Sequence, residues 1–114
     1  MIVTGLVQNT PEWLAWRLGH ICASDVPPIL GESEYATPTD IWKIKTGRAK
    51  EQDSNWAMTR GSDTEPKVRA LYALENDVDM APVCMEHPLL PQFAASLDGR
   101  NALGDLILEI KYPP

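Results

Sequence analysis

The sequence predicts an α+β (α/β) domain, with helices first and a mixed or antiparallel β-sheet after them. Three observations point to it. Helix-start signatures stand at Thr10-Pro11-Glu12 and Thr37-Pro38-Thr39-Asp40. After Asn76-Asp77 the apolar residues change from helical spacing to extended runs. Near the end, Ser96-Leu97-Asp98-Gly99 leads through a turn-rich stretch to Leu108-Glu109-Ile110-Lys111, which reads as two strands folding back on each other.

Each element has a local cause. Thr10 offers an N-cap hydroxyl, Pro11 fits the first turn and Glu12 suits the positive end of the helix dipole. Trp13, Trp16 and Leu18 give the helix an apolar face, and Gly19 ends it. Ser24-Asp25 is expected to cap a second short helix that stops at Gly31, with Pro27 and Pro28 making its first turn irregular. The third helix starts at Thr37, buries Ile41, Trp42 and Ile44, and stops at Gly47. A longer helical region runs from about Ser54 to Glu75, its apolar set including Trp56, Ala57, Val68, Leu71 and Tyr72. Pro66 inside it implies a kink or a restart near Asp63. Val78 to Glu86, Phe93 to Leu97 and Leu106 to Lys111 are the expected strands, the last buried on both faces because Leu106-Ile107-Leu108 is an uninterrupted apolar run. Trp13, Trp42 and Trp56 are read as core aromatics.

Composition narrows the function classes. The 114 residues form one domain, 1–114, without repeats or linkers. No apolar run has the length of a membrane span, and no basic segment followed by an apolar one opens the chain, so a soluble intracellular protein is expected. Cys22 and Cys84 lack C-x-x-C spacing and read as reduced, buried or half-buried thiols. His20 and His87 lack ligand-type spacing. The net charge of −6 argues against a non-specific nucleic-acid binder. The charge is nevertheless uneven. Lys43, Lys45, Arg48 and Lys50 are basic without an interleaved acid, whereas no Lys or Arg occurs between Ala70 and Gly99. Each lysine by itself reads as part of a solvated helix face.

The chemistry sits at the end of the chain. On a strand, Glu109 and Lys111 face one side and Ile110 the other. A hairpin through Gly99-Arg100-Asn101-Ala102-Leu103-Gly104 brings Asp98 beside Glu109. Two carboxylates supply the oxygen ligands that Mg²⁺ favours, and Lys111 can orient a water at a phosphate. Apposed carboxylates without a cation repel, so at least one is expected to hold its proton to higher pH. Asp…Glu-x-Lys alone is equally the pattern of a solvated charge ladder.

Four blocks in order resemble the lambda-exonuclease or YqaJ-type viral recombinase family, phage nucleases with the P-D-(D/E)-x-K, restriction-endonuclease-like core. These are Trp13-Leu-Ala-Trp-Arg17-Leu-Gly-His-Ile-Cys-Ala-Ser24, Arg60-Gly-Ser-Asp-Thr-Glu65-Pro, Ser96-Leu-Asp98-Gly and Leu108-Glu109-Ile-Lys111-Tyr-Pro. The resemblance implies Mg²⁺-dependent digestion of one strand of double-stranded DNA from its 5′ end, with Mn²⁺ able to substitute. It also implies delivery of the product to a single-strand annealing protein, a homo-oligomeric ring, and a phage- or prophage-encoded protein in the bacterial cytoplasm. Asp98 and Glu109 would be metal ligands, the Ile110 carbonyl a third, and Glu65 an additional acid facing the metal. Lys111 would position the water, and Arg17 and Ser24 would bind the terminal 5′-phosphate. A guanidinium suits that task by making bidentate phosphate contacts.

Two departures accompany the resemblance. Leu97 stands where the motif has proline, and the chain ends three residues after Lys111, so the C-terminal part of the fold is expected to be missing. An uncovered apolar edge strand is the expected consequence. Two functions therefore stand side by side: an active exonuclease, or an inactive truncated remnant that at most binds DNA ends or a partner protein. A small helical interaction module unrelated to nucleases is the third reading.

Overall fold

Thr10 accepts a hydrogen bond from the Trp13 amide at 3.2 Å and opens α1 (Pro11–Leu18), as the sequence indicates. The structure, a computed structural model, describes residues 1–50 and 56–111, the side chains of 56–62 excepted. The expected start at Ser54 and the core roles of Trp56 and Ala57 lie outside what is described. The chain forms two compact units, Met1–Gln52 with Cys84–Ser96, and Asp53–Val83 with Leu97–Pro114.

In the first unit α1 is followed by β1 (Ile21–Cys22), a 3₁₀ turn (Ala23–Asp25), α2 (Val26–Ile29) and α3 (Pro38–Lys45). The predicted cap at Ser24 is not made. Instead the Asp25 carboxylate accepts the Cys22 amide at 2.8 Å, and Ser24 lies within the 3₁₀ turn. Gly31 follows with φ +73°, the left-handed conformation that glycine adopts without strain. Thr37 and Asp40 form a reciprocal capping box at the start of α3: Thr37 N–H donates to Asp40 Oδ2 at 2.9 Å and Asp40 N–H to Thr37 Oγ1 at 3.2 Å. These bonds hold the Asp40 carboxyl below the ordinary carboxylate range, the Thr37 amide being the main cause. Ile41 and Ile44 are half-buried, but Trp42 is 53 % exposed, against the core role expected of it. Its ring is covered by the Arg48 guanidinium, 4.4 Å from the centroid.

The second unit carries α4 (Trp56–Asn76), which continues through Pro66 without the expected restart. Proline there removes only one bond, the one back to residue 62, while the turns on either side remain paired. Asp77, at φ +50°, ends the helix, and the Asn76 side-chain amide donates to the Tyr72 carbonyl at 3.0 Å. The strands are β2 (Ala81–Glu86), β3 (Phe93–Arg100) and β4 (Ile107–Leu108). They form a mixed sheet with β1, in the order β1-β3-β2, with β4 paired to β3. β1 runs parallel to β3 (Ile21↔Phe93, Cys22↔Ala94), and β4 runs antiparallel (Gly99↔Leu108, Arg100↔Ile107).

The α+β class and the final hairpin agree with the sequence; the end of the hairpin does not. β3 is longer than expected and contains Asp98 within the strand, whereas pairing of the last strand stops at Leu108. Leu106 is 38 % and Ile107 63 % exposed, so this run is not buried on both faces. An apolar run reads alike whether a neighbouring layer covers it or not, and burial is therefore not legible from it. Among the described residues, the buried apolar side chains include Cys22, Pro28, Cys84 and Ala94, all in the first unit. Both cysteines are buried, reduced thiols, as expected. Among the described residues, no helix is long and apolar enough to cross a membrane.

Candidate active site

Asp98 sits on the hairpin because its neighbour Gly99 permits close pairing. A Cβ on Gly99 would stand 3.1 Å from Leu108 Cβ and 3.5 Å from Met80 Cβ, so a side chain here would require Leu108 to shift, and glycine lets β3 and β4 approach without it. The turn beyond is organised by one side chain. Asn101 Oδ1 accepts the Gly104 and Leu106 amides at 3.0 and 3.1 Å, and its Nδ2 donates to Asp105 at 2.6 Å. Past β4 the chain stays beside β3, where Ile110 N–H donates to Asp98 Oδ2 at 2.8 Å. The hairpin thus brings Asp98 to the Glu109–Lys111 segment, although that segment is not strand.

Glu65, on α4, joins the same group. Burial, a hydrogen bond with Asp98 and the negative charges of Asp98 and Glu109 push its carboxyl up to about 7, while the Arg69 guanidinium one helical turn on pulls it down. The carboxyl that is raised is that of Glu65, the additional acid on α4, where the expectation concerned the pair Asp98 and Glu109. A carboxyl shared with Asp98 relieves repulsion between two acids by retaining a proton. Lys111 Nζ lies 2.8 Å from Glu109 Oε1, and both side chains are well exposed. The Glu109 carboxylate holds the Lys111 ammonium above the ordinary lysine range. One contributor was not legible in the sequence. Arg69 Nη1 is buried beside Glu65 with no hydrogen-bond partner among the described residues, and only its i+4 spacing on α4 signals that it faces the acids.

The donor set suits a hard divalent cation chemically, since Glu65, Asp98 and Glu109 are all oxygen ligands. Their excess negative charge is offset here by the Glu65 proton and by Lys111. Among the described residues, no group of three or more His, Cys, Asp or Glu side chains is already arranged to hold a metal ion.

Arg17 and Ser24 belong to the first unit, at the end of α1 and in the 3₁₀ turn. Arg17 Nη2 donates to Ser24 Oγ at 3.4 Å, and the guanidinium lies over the Trp13 ring at 4.7 Å. Trp13 is half-buried and is itself anchored, its indole N–H donating to Ser96 Oγ at 2.9 Å. His20 has its Nδ1 2.7 Å from the Trp16 carbonyl and its Nε2 3.0 Å from Glu86 Oε1, with the Trp16 indole N–H 3.4 Å from the same oxygen. His87 Nδ1 accepts the Leu89 and Leu90 amides, both at 3.1 Å.

Helices precede a mixed sheet, and acids come together where the hairpin closes. The profile of the YqaJ-like viral recombinase domain matches residues 12–114, and the chain belongs to that family. Two solved structures are similar to it. One is LHK-Exo in complex with dAMP, with 33 % identity and a TM-score of 0.71 over 91 % of this chain and 54 % of that one. The other is LHK-Exo, described as an alkaline exonuclease, from Laribacter hongkongensis, with 31 % identity and a TM-score of 0.65 over 82 % and 48 %. The chain spans about half the length of these structures. No curated protein matches it.

Proposed function

We propose that this chain carries the reacting groups of a metal-dependent DNA exonuclease of phage-type recombination, which degrades one strand of duplex DNA from a 5′-phosphorylated end. The observation that carries the reading is the convergence of Glu65, Asp98 and Glu109, expressed in the raised Glu65 carboxyl. Membership of the recombinase family and likeness to an alkaline exonuclease crystallised with a nucleoside monophosphate support it.

Asp98 and Glu109 hold Mg²⁺ or Mn²⁺ in this reading, with Glu65 as an additional acid and the Ile110 carbonyl as a further oxygen. When bound, the cation would supply charge neutralisation at the phosphate and would lower the pKa of a water beside it. Ile110 N–H fixes one Asp98 oxygen, and Glu65 shares a hydrogen bond with the same carboxylate. Lys111 positions the water and balances charge developing on the phosphate, its ammonium remaining protonated beside Glu109. Arg17 and Ser24 hold the terminal phosphate, a cation and a hydroxyl donor set 3.4 Å apart. A ring of several copies, a single-strand annealing partner and a place in the cytoplasm of a phage-infected bacterium belong to the same proposal.

One observation favours a second reading, in which the chain binds DNA ends without cutting them: no metal-holding group is preformed among the described residues. Incubating the protein with a linear, 5′-phosphorylated duplex in Mg²⁺, and again in a chelator, separates the two. Mononucleotide release that requires Mg²⁺ or Mn²⁺ is expected. A folded protein that binds duplex ends and releases nothing in either metal would overturn the first reading in favour of the second.

A further inference from the structure

The proposed phosphate pair rests on an ion pair that the sequence gives no hint of. Lys45, in the last turn of α3, reaches into the first unit with its side chain only 15 % exposed, and it meets Asp25, at 7 %. The Nζ–Oδ2 distance is 3.0 Å. Lys45 Nζ also donates to the Arg17 carbonyl at 2.7 Å, and the same Asp25 oxygen accepts the Cys22 amide at 2.8 Å. One ammonium and one carboxylate therefore tie three segments together: the end of α1 at Arg17, the turn that carries Ser24, and α3.

A buried pair of this kind contributes little net stability, because the loss of hydration offsets the attraction, whereas removing one partner leaves a costly buried charge. Its value lies in fixing geometry. The Arg17 backbone is clamped at its own carbonyl, and a cation placed at that helix end also suits the dipole. Ser24 is the residue immediately before Asp25, so its Cα is held by the neighbouring carboxylate. The two side chains proposed to meet a phosphate are thus the two whose backbones this pair fixes.

We propose that Asp25 and Lys45 are positioning residues that hold Arg17 and Ser24 at the separation a terminal phosphate requires. This inference rests on the end-recognition part of the proposed function. Its test measures affinity of the whole chain, in a chelator that prevents cleavage, for duplexes with a 5′-phosphate or a 5′-hydroxyl. The wild-type protein is expected to prefer the phosphate, and Arg17→Ala to lose that preference. Lys45→Met, which keeps the apolar stem, should reduce the preference at least about fivefold while affinity for the hydroxyl duplex stays within about twofold; Lys45→Arg should restore part of it.

Absence of any preference in the wild type would overturn the end-recognition reading and this inference with it. Loss in Arg17→Ala but full retention in a folded Lys45→Met would overturn the inference alone. If Lys45→Met does not fold, the Asp25→Asn/Lys45→Met double variant removes the stranded charge and carries the same comparison. Failure of both to fold would make the pair a folding element and overturn the positioning role.

Discussion

The two units handle charge in opposite ways. In the first, buried or half-buried polar groups meet close partners: Lys45 on Asp25, His20 on Glu86, Arg17 between the Trp13 ring and Ser24. In the second, like charges are brought together, and the conflict between Glu65, Asp98 and Glu109 is settled by a retained proton and by an exposed lysine. The first arrangement is complete without a ligand, as a binding surface can be. The second leaves its acids crowded, a conflict that the proposed cation would relieve. A group shared by proton and cation is also where pH and metal compete.

Removing charge from the second unit should break this contrast most strongly. Asp98→Asn, Glu109→Gln and Lys111→Ala are each expected to lower metal-dependent cleavage by about a thousandfold, equivalent to ~4 kcal/mol. End-binding preference should be unchanged, as read by nucleotide release and by anisotropy on the same samples. A variant that loses both together would mean the two units do not divide the work.

The next effect is on stability against pH. The Glu65 carboxyl titrates near 7 in the folded chain and near 4.5 when unfolded, so the folded state binds this proton more tightly. Its stabilising contribution is complete below about 4.5 and is lost as pH rises through about 7, amounting to ~2 kcal/mol once partial solvent exposure is allowed for. Denaturant melts across that window should show the decline, and Glu65→Gln should flatten it. A wild-type protein equally stable at pH 4.5 and 7.5 would contradict the crowding of acids.

Arg17→Ala sharpens the comparison from the other side. It should remove roughly tenfold of the preference for 5′-phosphorylated over 5′-hydroxyl ends, ~1.4 kcal/mol, with cleavage of hydroxyl ends unaltered. Gly99→Ala should destabilise the hairpin by ~1–2 kcal/mol, because its Cβ would meet Leu108 at 3.1 Å; thermal melts measure this. Thr37→Ala, which dissolves a capping box remote from either site, should cost only about 1 kcal/mol and leave binding and cleavage alone.

What the sequence conveyed follows how far each cause reaches along the chain. Thr10 and Thr37 cap helices three residues away, and Asn101 closes a turn over five, so α1, α3 and the hairpin were legible. The proximity of Asp98 to the segment after β4 followed from that hairpin. Trp42 was misread because an indole at helical spacing looks alike whether the core or Arg48 covers it. Asp25 was misread because its partner Lys45 is twenty residues away, and that lysine sat within a run that looked like a solvated face. Leu106 to Leu108 were misread because burial depends on a covering layer rather than on the strand.

The two thiols offer a clock. Cys22 and Cys84 are 5 % and 1 % exposed, both lie in the first unit, and burial raises the Cys84 thiol further from its reactive thiolate form. An alkylating reagent can reach them only when that unit opens. The rate at which mass is added per cysteine therefore times the opening that exposes Cys22 and Cys84. Since the chain contains no other cysteine, the label needs no engineering. A DNA end that slows the labelling would report occupancy of the first unit without any bond being cut.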